Sequence, residues 1–496
     1  MTPAPHPEIL IAGAGAAGLT LAIELARRNV PVRLIDKAPG PFAGSRGKGL
    51  QPRSLEVFED MGVLDRMAAI GGPYPPTRTY GSGGHVDELM FERQPDTPAT
   101  PYAQPLMLAQ NLTEGVLRER LAELGVRPQL GCALTGFLQD ESGVDARLET
   151  AAGEEHLRVR YLIGADGGRS FVRGALGVGF PGRSMPGRGL VADVALDGLG
   201  RDVWHRWSAA QGPLALCPLA GTDLFQLQGG VAVGDDDEPD LSDEALRAMV
   251  AERTGDAGIV VRDIRWRSAF RLSARLADRY RDGRVFLAGD AAHVHPPTGG
   301  QGLNTSIQDA YALGWRLAAV LDGAPQALLD TYEQERRPIA ADVLGLSSRL
   351  LEAGERGDMR RGRENHQIDL GYFDSPLSLE RRARSGRLPA GARVPDARLR
   401  GAGGQPLRLF EVLRGVQWTL LGYEADPAMA PAPRKGLATH VVGPSGDLRD
   451  VGGDFAAACD LDPGDWVLIR PDGYLGAIIS GGQRGALEDY LPGVGL

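Results

Sequence analysis

Glu8-Ile-Leu-Ile-Ala-Gly-Ala-Gly-Ala-Ala-Gly18 decides how this chain begins to fold. Residues 8–12 form a short apolar run that predicts a buried strand. Ala16 to Arg28 carries apolar residues at helical spacing and predicts a helix. Val32 to Ile35 predicts a second strand, which ends at Asp36 and Lys37. The whole reads as a β-α-β unit with a glycine-rich turn after its first strand. Each glycine has a separate reason. Gly13 permits the tight turn, Gly15 lets the backbone approach a pyrophosphate, and Gly18 lets the helix lie close to the strand. The helix start at Ala16 and Ala17 offers free N–H groups and the positive end of a dipole. Asp36 follows Gly18 at the distance where a carboxylate bonds a ribose 2′-OH. The unit therefore predicts a dinucleotide site, without choosing between a flavin and a nicotinamide dinucleotide.

The 496 residues exceed one small core, and about 150 residues per domain gives two to four units. Apolar residues make up 43% and charged residues 24%, as in an ordinary folded protein. A net charge of −10 argues against a nucleic-acid partner, which needs a basic face. Arginine far outnumbers lysine. Cys132, Cys217 and Cys459 lie far apart and form no Cys-x-x-Cys pair, so neither a disulfide framework nor a zinc site is expected. The apolar run from Ile9 to Leu25 is broken by Gly13, Gly15 and Gly18, leaving no membrane-spanning stretch. A soluble, cytoplasmic protein with no membrane or nucleic-acid partner is expected, monomer or homodimer.

Further along, Leu112 to Leu124 predicts an amphipathic helix and Leu157 to Ile163 a strand leading into Gly164-Ala165-Asp166-Gly167. Short alternating segments between about 181 and 275, such as Gly189 to Val194 and Leu224 to Val233, predict an inserted antiparallel sheet. Val285 to Ala288 reads as a buried strand, Gly289 to Gly302 as turns, and Leu303 to Leu321 as a long helix. Val343 to Arg387 reads as mostly helical. A boundary is placed near Leu388-Pro389-Ala390-Gly391, ahead of short strands at Trp418 to Gly422 and Trp466 to Ile469.

Three segments carry a family resemblance. Arg284-Val-Phe-Leu-Ala-Gly-Asp290-Ala-Ala-His293, continued by Pro296-Pro297-Thr-Gly-Gly300-Gln-Gly302-Leu303-Asn304, resembles the second FAD motif of the group A flavoprotein monooxygenases. Asp166-Gly-Gly-Arg-Ser-Phe-Val-Arg173 resembles their Asp-Gly motif. The glycine-rich turn at Gly13 is the first motif. The resemblance extends over nearly the whole chain and is nearest to aromatic polyketide hydroxylases and rifampicin-type monooxygenases. Ala390 to Asp396 and Ile469 to Gly473 resemble their thioredoxin-like C-terminal unit, here without a redox dithiol.

The resemblance implies an α/β fold: a Rossmann-like FAD-binding domain (1–73, 106–180 and 276–387) with an inserted β-sheet substrate domain (74–105 and 181–275), followed by a thioredoxin-like domain (388–496). It implies FAD held by Gly13, Gly15, Ala16, Ala17, Gly18, Asp36, Lys37, Arg46, Gln110, Asp166, Arg173, Asp290, Pro297, Gly300, Gly302, Leu303 and Asn304. NAD(P)H, with NADPH favoured, would serve as transient reductant and molecular oxygen as co-substrate. A flavin C4a-hydroperoxide would hydroxylate a small aromatic or polycyclic substrate. Baeyer–Villiger oxygen insertion, antibiotic inactivation and a non-oxygenating flavoprotein stay open as alternatives. Tyr80, Met107, Trp204, Phe225 and Gln228 are the candidate substrate residues, and no side chain is assigned a catalytic role. His293 and His295 are read as lining the cofactor turn rather than holding a metal. Arg53 sits where relatives often carry His-Ala-Arg, but here the segment reads Gln51-Pro52-Arg53.

Overall fold

Ile9–Ala12 carries no charge and is buried along its length. It pairs in parallel with Val32–Asp36 on one side and Tyr161–Gly164 on the other, as a strand covered on both faces must. In this computed structural model the sheet continues to six strands. Val285–Leu287 and Arg281–Asp282 extend one edge and Gln129–Leu130 the other. The structure describes residues 6–81, 83–231, 239–296, 298–355, 358–382, 386 and 388–496. Helices Ala16–Arg27 and Gly302–Leu321 pack against one another. Leu19, Leu21, Ile23, Ile307, Leu313 and Leu317 are all wholly buried there. The expected helix after Leu112 starts two residues earlier, as Gln110–Glu123.

The single strand expected over 157–163 is two. Gly153–Val159 closes a three-stranded antiparallel meander, and Tyr161–Gly164 enters the parallel sheet. Arg160, half exposed at the break, marks the change of sheet.

The second sheet has eight strands. Two long ones, Gly182–Asp197 and Val260–Leu276, pair antiparallel and carry Phe225–Val231, Gly212–Pro218 and Trp204–Ala209 beside them. Thr77–Gly81 then pairs in parallel with Trp204–Ala209 and antiparallel with Gly84–Glu88, which forms the edge. Strand alternation gives this sheet two faces. Leu190, Ala192, Val194, Leu214, Leu216, Phe225 and Leu227 turn toward helix Asp243–Thr254 and bury Leu246 and Val250. Asp193, Cys217, Gln226 and Gln228 turn the other way, toward the first unit.

Seven strands past residue 388, joined by Leu379–Arg381, form another sheet of eight strands. Its core includes Leu409, Leu421, Val442, Phe455, Val467 and Ile478. The region from Val343 to Arg387 is only partly helical. Helix Asp330–Glu355 ends inside it, and a short turn of helix at Arg363–His366 and a strand at Leu379–Arg381 follow. Gly354, Gly362 and Gly371 interrupt a charge pattern that otherwise reads as helix.

Candidate active site

The turn after the first strand has the geometry its glycines predict. Gly13 has φ +110°, and a side chain there would meet the Ala165 carbonyl oxygen at 2.2 Å. A Cβ at Gly18 would meet the Gly13 carbonyl oxygen at 1.9 Å. Gly15 differs: its nearest neighbour would be Glu114 Oε1 at 3.8 Å, which leaves open space over the backbone. No side chain caps helix Ala16–Arg27, and its first amides face that space. Asp36 closes the turn from the second strand. Its Oδ2 accepts from Ala14 N–H and its Oδ1 from Ala38 N–H, both at 2.8 Å. Lys37 beside it is exposed.

Gln110 clamps the 44–49 loop against this turn. Its Oε1 accepts from Gly47 N–H at 3.1 Å, and its own N–H donates to the Gly47 carbonyl at 2.8 Å. Its Nε2 donates to Glu114 Oε1 at 2.9 Å. Glu114 is buried, and burial raises its pKa above the usual carboxylate range against the pull of Gln110 and Arg118. The sequence reading missed Glu114, although its place one helical turn after Gln110 puts both on one face. Arg46 is exposed and donates to Ser268 Oγ at 3.1 Å, linking the loop to the long strand of the second sheet.

The Asp-Gly segment spends its side chains on the protein. Asp166 accepts from Ser170 Oγ at 2.5 Å and from the Phe171 and Val172 amides at 2.7 and 3.1 Å. Ser170 caps the short helix by accepting from Arg173 N–H. Arg173 donates to the carbonyls of Gly168 and Ala291, both at 2.8 Å. The two side chains thus fasten this turn to the Gly289–Ala291 segment.

Asp290 is different. Its side chain is accessible, yet enclosed closely enough that desolvation raises its pKa, with His293 and Arg46 opposing. Among the described residues its one hydrogen bond comes from Ser306 Oγ at 3.4 Å. Behind it, His293 Nε2 lies 2.6 Å from Asp309 Oδ2, and His295 Nε2 lies 2.9 Å from His293 Nδ1. Burial pushes Asp309 up, but His293 and Arg336 together hold its carboxyl below the ordinary range. Gly299 and Gly300 take positive φ, and helix Gly302–Leu321 starts without a side-chain cap. Asn304 donates to the carbonyls of Gly49 and Gly300 at 2.8 and 2.7 Å and accepts from Gln51 N–H at 2.8 Å. Leu303 reaches Gly47. Pro297 lies outside the described residues.

On the substrate side the five expected residues separate. Met107 and Trp204 share one apolar cluster with Met90, Phe91 and Cys217, flanked by Tyr74 and Met359. Gln228 turns the same way and donates to Gln226 Oε1 at 2.7 Å. Phe225 and Tyr80 do not join them. Alternation places Phe225 in the helix-covered core, and Tyr80 packs against that core, stacked on Trp207 at 4.8 Å. Arg53 is also displaced from the turn. It donates to the Asp472 carbonyl at 2.6 Å and lies over the Tyr474 ring, in the seam with the C-terminal unit.

Residues 6–347 match the family model described as an FAD binding domain, and residues 388–493 match the aromatic-ring hydroxylase C-terminal model. The chain belongs to the FAD-binding aromatic-ring hydroxylases. This hydroxylase is 42% identical over 497 residues to a flavin-dependent monooxygenase of Mycobacteroides abscessus, covering 97% of this chain and 99% of the relative. It is 35% identical to 6-methylpretetramide 4-monooxygenase of Streptomyces rimosus, over 99% of this chain and 96% of that one. Its fold matches the crystal structure of the flavin-dependent monooxygenase PieE in complex with FAD and substrate. That match has a TM-score of 0.85 at 26% identity and covers 99% of both chains. The hydroxylase's own residues fit FAD: a cradle that a side chain at Gly15 would fill, an accessible and nearly unbonded carboxylate at Asp290, and two uncapped helix starts. Among the described residues no helix is long and apolar enough to cross a membrane.

Proposed function

We propose that this flavoenzyme uses NADPH and molecular oxygen to hydroxylate a polycyclic aromatic substrate of the polyketide type, in the cytoplasm, as a monomer or homodimer. The observation that carries this reading is one loop, residues 44–51, held on both sides. Asn304 and Gln110 tie it to the two FAD motifs, and Ser45 donates to Asp193 on the second sheet. The cluster around Met107 and Trp204 lies on the face of the second sheet that turns toward the unit carrying the cofactor motifs, and an apolar lining with few polar groups would suit a flat polycycle. The naming of the Streptomyces relative for a pretetramide supports the substrate class.

When bound, FAD supplies hydride acceptance and the activation of oxygen. The chain's residues bind, orient and exclude water. The amides at Ala16, Ala17 and Gly18 would hold the pyrophosphate, and Asp290 would accept from the ribityl hydroxyls. The uncapped amides at Gly302, Leu303 and Asn304 place partial positive charge where a reduced ring would carry negative charge. Met107 and Trp204 keep the opening dry. No side-chain nucleophile takes part. We assign the FAD unit to 1–73, 106–180 and 276–387, the substrate unit to 74–105 and 181–275, and the C-terminal unit to 388–496. The test is the visible spectrum of the purified protein, followed by NADPH consumption in air with a panel of polycyclic phenols. Flavin bands and stimulation by one phenol support the reading. A protein that neither carries nor takes up FAD overturns it.

A further inference from the structure

Of the 54 basic residues in the chain only three are lysines: Lys37, Lys48 and Lys435. Lys37 and Lys435 are exposed. Lys48 is 8% exposed and sits in the loop that joins the cofactor motifs to the second sheet. Its ammonium lies 4.1 Å from the centre of the Trp204 ring and donates to Gln226 Oε1. An ammonium has three N–H donors, and among the described residues it has this one acceptor. Among the described residues no carboxylate pairs with it. Asp193, whose charge acts on Lys48, accepts from Ser45 N–H at 2.9 Å and from Ser45 Oγ. Gln226 is itself fixed, donating to Ser45 and accepting from Gln228. The other walls are Cys217, and Tyr74 with its hydroxyl against Gly49.

A buried lysine nitrogen with one hydrogen-bond partner and no carboxylate beside it among the described residues can carry charge only when an anionic or strongly accepting oxygen joins it. We propose that Lys48 is a substrate-binding catalytic residue that pairs with an acidic phenol or enol oxygen of the substrate and holds it as the phenolate. The assignment rests on the monooxygenase reading above. The O–H bond of the phenol breaks and an N–H bond forms on neutral Lys48, leaving an ammonium–phenolate pair. The proton returns to the oxygen when product leaves. A phenolate ring is the more electron-rich target for oxygen transfer. The surroundings allow this exchange: burial pushes the Lys48 pKa below the ordinary lysine value, with Cys217 and Asp193 opposing. Burial likewise raises Cys217 to about 11 and raises Tyr74, so both stay neutral near pH 7. Gln226 would hold the ammonium in place, and the Trp204 face would shield it from water.

The test uses FAD-loaded enzyme grown with lysine carrying ¹³C at Cε, so that three signals report three lysines. Loss of one signal in Lys48→Arg assigns it. Alizarin, a polycyclic phenol whose phenolate absorbs at longer wavelength, is the probe, and its dimethyl ether is the control. The expected result is a Lys48 signal that titrates below those of Lys37 and Lys435 and moves to the ammonium position with alizarin alone. The phenolate band should appear at pH 7, survive in Lys48→Arg, and require at least tenfold more alizarin in Lys48→Met. A Lys48 signal that ignores alizarin, or answers the ether equally, overturns the assignment, whether or not the methionine variant folds. NADPH consumption in the same sample is read separately. Its presence with a silent Lys48 sinks the lysine assignment alone, and its absence with every phenol of the panel sinks the monooxygenase reading.

Discussion

Arg470 lies across Glu335, donating to Oε1 at 2.7 Å and to Oε2 at 2.8 Å, with both side chains at most 1% exposed. Asp472 and Arg316 complete the group, and Trp315 Nε1 donates to Asp472 at 2.8 Å. Glu335, Arg316 and Trp315 belong to the first unit, whereas Arg470 and Asp472 belong to the C-terminal unit. The seam is therefore fastened by charges that have no access to water. Removing Arg470 leaves two buried carboxylates, Glu335 and Asp472, with a single arginine, Arg316, between them. Arg470→Met is expected to cost about 3–5 kcal/mol in chemical denaturation. A loss below roughly 1 kcal/mol would mean that the seam reopens to solvent at little cost.

Gly13 and Gly15 should fail differently. Alanine at Gly13 is strained at φ +110° and collides with the Ala165 backbone, so the apoprotein itself should lose more than about 2 kcal/mol. Alanine at Gly15 meets nothing closer than 3.8 Å, so the apoprotein should melt as the wild type does while FAD affinity falls. Thermal melts with and without FAD separate the two, and equal apoprotein losses would count against the division of roles.

Asp290→Ala tests the second motif. Hydrogen bonds to a charged group are worth about 1.5–3 kcal/mol, so FAD should bind roughly ten- to a hundredfold more weakly. Equilibrium titration of apoprotein with FAD measures this, and an unchanged affinity removes Asp290 from the site.

Glu114 gives a pH signature. Its folded pKa is raised by burial, so the fold binds its proton more tightly than the unfolded chain does. That stabilisation is complete below the unfolded value, about 4.3, and is lost as pH rises through the folded value. Glu114→Gln cannot ionise. Its melting temperature as apoprotein should therefore gain on the wild type as pH rises from 5 to 8. A difference that stays flat across that range contradicts the assignment.

These cases show what could be read in advance. The turn at Gly13 and the close packing at Gly18 were legible because one β-α-β unit is local, and its constraints act within a few dozen residues. Asp290 and Asn304 were singled out through a long motif, and the structure sets both at one turn. Glu114 and Lys48 were not, because their meaning comes from elements that only the folded chain assembles: a helix start for one, the far side of a second sheet for the other. Phe225 and Tyr80 show the opposite limit. Their aromatic character suggested a substrate wall, but the register of the sheet, which the segment alone does not fix, turns them toward the helix-covered core. The place of Arg53 could not be read in advance, since its partners Asp472 and Tyr474 lie more than four hundred residues away along the chain.

The central claim is that this flavoenzyme puts an atom of molecular oxygen into an aromatic substrate. The most direct measurement is turnover with NADPH under ¹⁸O₂, using whichever polycyclic phenol stimulates consumption, followed by mass spectrometry of the product. One ¹⁸O atom in the product, with NADPH consumed in equal amount, is the predicted result. NADPH consumption that yields only hydrogen peroxide, with the phenol recovered unchanged, would contradict it.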